Sequence, residues 1–143
     1  MRLLSRLLLT MLLAASSAGY AATLNNPAEA RKLADEVMAK VAVGDTEGAL
    51  RLTKPYLVIP ESEFETMVGQ MKLQAPVMAS RFGATIGTEF VRQDAVGESL
   101  LRLTYLQRFD RHPMRWVFYF YKGTGGWVLN TFRTDDVIQQ LFP

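Results

Sequence analysis

Between Glu98 and Phe132 the chain has room for little except three consecutive β-strands. Apolar and polar residues largely alternate from Glu98 to Asp110, and the runs Met114–Lys122 and Trp127–Thr134 are dense in aromatic and β-branched residues. That pattern is what a half-buried antiparallel sheet requires. Asp110-Arg111-His112-Pro113 and Gly123-Thr124-Gly125-Gly126 supply the turns between them. Upstream, Thr85–Gln93 reads as a further strand, joined to the meander through a turn at Asp94-Ala95-Val96-Gly97.

Four-residue loops would set the register. Phe90 then faces Leu101, Ile86 faces Tyr105, Tyr105 pairs with Phe118, Leu103 with Phe120, Phe120 with Leu129 and Lys122 with Trp127. One face collects Ile86, Phe90, Leu101, Leu103, Tyr105, Met114, Trp116, Phe118, Phe120 and Leu129, and is expected to be the dry one. The other places Glu89 opposite Arg102 as a charge pair, and carries Leu106, Val117, Tyr119, Tyr121, Val128 and Phe132. So many apolar groups on an outer face call for a cover or a partner. A homodimer through Val117, Tyr119 and Tyr121 is one reading, and coverage by Leu141 and Phe142 is another. The third is plain strand propensity.

Helices precede the sheet. Asn26-Pro27 with Glu29 forms a helix start, and Ala30, Leu33, Ala34, Val37 and Val41 then share one face up to Gly44. Asp45 caps a second, short helix over Thr46–Thr53, with Ala49, Leu50 and Leu52 inward. A third runs from residue 60 or 61 to 82. Glu61, Glu63 and Glu65 suit its dipole, and Phe64, Met67, Val68, Met71, Ala75, Met78 and Phe82 keep helical phase through Pro76. This helix is expected to lie over the dry face of the sheet. Thr134 caps a short final helix through Gln140.

The N-terminus is of a different kind. Arg2 and Arg6 precede an apolar run, Leu7–Ala15, and small residues follow to Ala22, the pattern of an export signal cleaved after Ala21 or Ala22. The run is too short to span a bilayer. The expected organisation is therefore a signal over 1–21 and one domain over 22–143, placed in the periplasm with no membrane span after cleavage. The chain has 16 Lys+Arg and 14 Asp+Glu. Both surplus arginines sit in the signal, so the remainder is balanced, which argues against a nucleic-acid partner. Cysteine is absent, which closes disulfide, thiol and lipid-attachment chemistry.

Helices followed by an antiparallel meander define an α+β fold, with N-terminal helices on one face of a curved four-stranded sheet and a short C-terminal helix. The strand Leu100-Leu101-Arg102-Leu103-Thr104-Tyr105, the aromatic strand Trp116–Tyr121, the run Gly126-Trp127-Val128-Leu129-Asn130 and the closing Asp135-Asp136 carry a resemblance. The chain resembles small exported bacterial proteins of the nuclear transport factor two-like, or cystatin-like, superfamily. That resemblance implies a sheet curled around a long helix and a cone-shaped pocket. Some members are isomerases or dehydratases with a pocket Asp or His, and many are binding or dimerisation modules. Here no acid or histidine falls on the inner face. The additional hairpin between the second and third helices is also missing, and only Tyr56–Ile59 can supply a strand there.

The chemistry available is narrow. His112, the single histidine, lies in a hairpin turn beside Pro113. No cluster of ligands suits a metal, and no cofactor motif is present. The glycine-rich turn at 123–126 leads into a strand and carries no lysine of a phosphate loop. What does stand out is the apolar wall formed by Tyr105, Trp116 and Phe118 on the sheet with Met67, Met71 and Met78 on the third helix. Of these, Tyr105, Trp116, Phe118, Met67 and Met71 are the candidate ligand-binding residues, with Tyr105 as the polar handle. A non-enzymatic module holding a small apolar ligand is the leading expectation. An isomerase- or dehydratase-like enzyme using Asp110 or Glu89 is the alternative, and an envelope accessory protein acting through a sheet-face dimer is the third.

Overall fold

A computed structural model describes residues 20–143. The expected export signal falls on 1–21 and so lies almost wholly outside the described residues. Three helices come first: α1 (Pro27–Ala42), α2 (Thr46–Thr53) and α3 (Glu61–Phe82). Four strands follow: β1 (Thr85–Val96), β2 (Leu100–Phe109), β3 (Pro113–Gly123) and β4 (Gly126–Asp135), paired antiparallel in the order β1-β2-β3-β4. The fold is α+β with its helices on one face of an open meander.

The helix starts follow the local chemistry. Asn26 caps α1 by accepting from the Glu29 amide at 2.9 Å, and Glu29 reaches back to the Asn25 amide at 2.7 Å. Asp45 caps α2 through the Gly48 amide at 2.9 Å. The chain remains helical through Pro76. At the other end the expected helix over 134–140 is absent. Strand β4 continues to Asp135, and only a single 3₁₀ turn, Ile138–Leu141, follows.

The helix that covers the sheet is α1, not α3. Ala30, Ala34, Val37 and Val41 on α1 are fully buried. The Tyr105 hydroxyl donates to Asp35 Oδ1 at 2.7 Å, and the Thr88 hydroxyl donates to the Met38 carbonyl at 3.4 Å. The Arg31 guanidinium lies 3.4 Å from the centre of the Phe90 ring. Two apolar helix stripes compete for one sheet face. The α1 stripe is narrow-shouldered, with alanine at 30 and 34, and so approaches the strands more closely.

Registers differ from expectation by even numbers of residues, which leaves most faces intact. Phe90 pairs with Tyr105 rather than Leu101, and Tyr105 with Trp116 rather than Phe118. Phe120 does face Leu129, and Lys122 faces Trp127. Three irregularities make the exceptions. One between Thr85 and Gly87 leaves Ile86 out of the ladder and more than half exposed, instead of facing Tyr105 in the core. One between Phe90 and Arg92 lets β1 run on to Val96, so Arg102 meets Asp94 at 2.9 Å and not Glu89. The third skips Asn130 in β4 and turns Phe132 to the inner face, where it stacks on Trp116 at 6.3 Å. Bulges of this kind also twist an edge strand such as β1 away from unwanted pairing.

The inner face is dry. Leu101, Leu103, Tyr105, Trp116, Phe118, Phe120, Trp127 and Leu129 are all buried. Tyr56–Ile59 contributes a single parallel bridge, Leu57 to Leu129. Leu24 pairs with Trp127 through two backbone hydrogen bonds of 2.8 Å. Gly126 makes that possible: its φ is +127°, and a Cβ there would sit 2.7 Å from the Leu24 carbonyl.

On the outer face the C-terminal segment crosses β3. Arg115 donates from Nε to Asp135 Oδ1 at 3.0 Å and from Nη2 to Asp135 Oδ2 and Gln140 Oε1, both at 2.7 Å. Arg92 Nη1 donates to the Leu141 carbonyl at 2.9 Å. Val117 is only 2% exposed, so it is no open dimer contact; Tyr119 is half-buried and Tyr121 exposed. The Arg115 guanidinium holds the Asp135 carboxyl below its usual range. A depressed carboxylate pKa stabilises the fold above the unfolded value of about 3.9 and loses that contribution as pH falls through the folded value. Asp135→Asn is therefore expected to cost about 2 kcal/mol near neutrality, from the loss of charged hydrogen bonds. Urea unfolding at two pH values checks this, because the gap between the variant and the parent should narrow as pH falls below the unfolded value of about 3.9.

Candidate functional site

Helix α3 is fixed at its two ends and stands away from the sheet between them. At the N-terminal end Phe64 and Val68 are buried. Salt bridges reinforce that end: Arg51–Glu65 and Lys72–Glu47, each at 3.0 Å, and Lys54–Glu61. At the C-terminal end Phe82 is buried, stacked on His112 at 4.5 Å and edge-on to Phe109 at 5.7 Å. The Arg111 amide donates to the Phe82 carbonyl at 2.8 Å, and Arg111 Nη2 donates to the Ser80 carbonyl at 3.1 Å. Between these anchors, Leu73 and Val77 point into solvent, at 78% and 58% exposure.

Under the span lies a cavity of about 240 Å³. Met71, Gln74, Ala75, Met78 and Ala79 form its roof. Its floor is the end of the sheet nearest the β2–β3 turn: Thr85, Gln107, Phe109, Met114, Trp116 and Thr134. Gly44, from the α1–α2 connection, and Thr46, the first residue of α2, close one side. Among the described residues no ionisable side chain lines it. Gln107 is the buried polar group there, and both ends of its amide are occupied. Its Oε1 accepts from Trp116 Nε1 at 2.9 Å, and its Nε2 donates to Thr85 Oγ1 at 2.9 Å. Gln107 is thus satisfied within the wall, and the other polar groups facing the space are neutral: threonine hydroxyls, the Gln74 amide and methionine thioethers.

The five expected ligand-binding residues divide. Met71 and Trp116 line the cavity; Met67, Tyr105 and Phe118 do not. Phe118 does not reach the cavity and packs against both Trp116 and Phe132, with ring centres at 6.2 and 6.0 Å. Tyr105 lies beneath α1. Burial first, and its hydrogen bond to Asp35 second, hold its hydroxyl un-ionised far above the usual range. It is a strut between sheet and helix rather than a handle for a ligand. Phe109, Met114, Gln107 and Met78 take the missing places. Met78 and Met114 carried a signal, helical phase and strand alternation; Gln107 carried none, because a lone amide in a strand reads as solvated.

The residues considered for catalysis lie elsewhere. Asp110 and Glu89 are exposed and do not line the cavity. His112 packs flat on Phe82, with Nδ1 2.6 Å from the Pro113 carbonyl. Among the described residues no three His, Asp or Glu side chains gather as metal ligands would, and no helix is long and apolar enough to cross a membrane. Compared with protein-family models, with curated proteins and with solved structures, the chain has no match in any of the three.

Proposed function

We propose that this is an exported, periplasmic, non-enzymatic binding module that holds a small apolar ligand between α3 and the end of the sheet. The observation that carries the reading is the uncharged cavity of about 240 Å³ walled by Met71, Met78, Phe109, Met114 and Trp116. Apolar walls with a few fixed neutral groups are the usual make-up of a small-molecule site, and this volume lies just below the usual range of roughly 300–1,000 Å³. Methionines on both roof and floor let the walls adjust to what enters. The placement in the periplasm rests on the N-terminal sequence pattern, and the superfamily resemblance rests on element order.

The enzyme reading has less support, since Asp110 and Glu89 stand outside the cavity. The dimer reading loses Val117 as a contact and keeps Tyr119 and Tyr121. The binding reading is tested with N-phenyl-1-naphthylamine, a neutral probe that fluoresces when it leaves water. The expected result is saturable binding of one probe per chain with a micromolar Kd, about −8 kcal/mol. Ala79→Trp, which puts bulk at the mouth, should weaken binding by more than tenfold. Unsaturable binding, or binding untouched by that variant, would reject the proposal.

A further inference from the structure

The cavity does not end at α3. A shallower groove runs along the other flank of the same helix, and Met71, Ala75 and Ala79 line both spaces. Helical spacing sets Lys72, Ala75 and Ala79 along one stripe and Met71, Ala75 and Met78 along the next. The short side chains at 75 and 79 keep the ridge between them low. The two compartments differ in chemistry. The cavity has no ionisable lining, whereas the groove is bordered by Asp45, Glu47 and Lys72. An ion in the cavity would be left without a partner, which is costly; an ion in the groove would keep both water and a counter-charge.

Resting on the reading of the cavity as an apolar ligand site, we infer that the ligand is a single-chain amphiphile with an anionic head, its chain under α3 and its head at Lys72. The charges in the groove are not equally engaged. Asp45 is committed to capping α2 and to Lys40 at 3.3 Å. Glu47 holds two cations, Arg51 and Lys72, each at 3.0 Å. Lys72 meets Glu47 alone, and its side chain is 61% exposed. It can turn to a ligand carboxylate while Glu47 keeps Arg51. Among the described residues it is the cation that borders the groove, and its release leaves Glu47 paired with Arg51.

Dodecanoate and dodecanol share a chain and differ in the head, so their ability to displace N-phenyl-1-naphthylamine from the full exported domain separates the two parts of the site. Lys72→Ala is expected to lower the dodecanoate-to-dodecanol affinity ratio about fivefold, the scale of an exposed ion pair, with dodecanol itself unchanged. Lys72→Arg should restore the ratio, and raised salt should lower it in the parent only. A ratio indifferent to Lys72→Ala and to salt would overturn the assignment of the head while leaving the cavity in place. If the probe binds but neither compound displaces it, the amphiphile is overturned while the cavity stands; if the probe does not bind, the cavity reading fails and the amphiphile with it.

Discussion

Replacing Phe118 with alanine is expected to remove about 4 kcal/mol of stability, a large part of what a domain of this size possesses. Phe118 is 1% exposed and stands at the centre of the aromatic layer. Trp116 stacks on one side, Phe132 lies at 6.0 Å on another, and Tyr105 meets it edge-on at 5.7 Å. Truncation leaves a void that these rings cannot readily close, because two of the three are held by hydrogen bonds: Trp116 by Gln107, and Tyr105 by Asp35. The chain has no cysteine to compensate by cross-linking. Urea denaturation followed by tryptophan fluorescence measures the effect as a lowered midpoint at unchanged slope. A loss under about 1 kcal/mol would mean that this layer is not the core.

The second large effect belongs to Phe82. Phe82→Ala removes the buried ring that pins the far end of α3 against Phe109 and His112. A loss of about 3 kcal/mol is expected from the truncation. The distribution of the damage is the sharper readout. Leu73–Phe82 has few buried groups of its own, so once the anchor is gone its amides should exchange with solvent much faster. The amides of α1 and of the central strands β2 and β3 should retain their relative order of protection. The half of α3 before Lys72 keeps Phe64, Val68 and its ion pairs, and should exchange as before. Uniform loosening of the whole chain would show that α3 is not a span fixed at two ends.

Much of this architecture was legible in the sequence, and the failures have physical causes. The meander was legible because strand alternation and turn residues are local signals. The inner face survived a register error of two residues at the β2–β3 pair, since side chains repeat every second position. Ile86 left the ladder and Phe132 changed face because bulges insert a residue without leaving any mark in composition. The choice of covering helix was not legible. The stripes of α1 and α3 look alike in phase, and what separates them is how closely each backbone reaches the sheet. That one misassignment moved the site: with α1 over Tyr105 and Phe118, the space under α3 shifted to the sheet end, keeping Met71 and Trp116 and recruiting Phe109, Met114 and Gln107.

The central claim is that the space between α3 and the sheet end is a ligand site, and methionine methyl resonances report on it directly. Met71, Met78 and Met114 line the cavity, while Met38 is buried on the core face of α1 and Met67 lies outside the lining. In protein labelled at the methionine methyls and titrated with N-phenyl-1-naphthylamine, the first three signals should shift together and saturate at one equivalent, with Met38 and Met67 unmoved. Shifts at Met38 or Met67 with Met71, Met78 and Met114 silent would place the probe elsewhere and contradict the account.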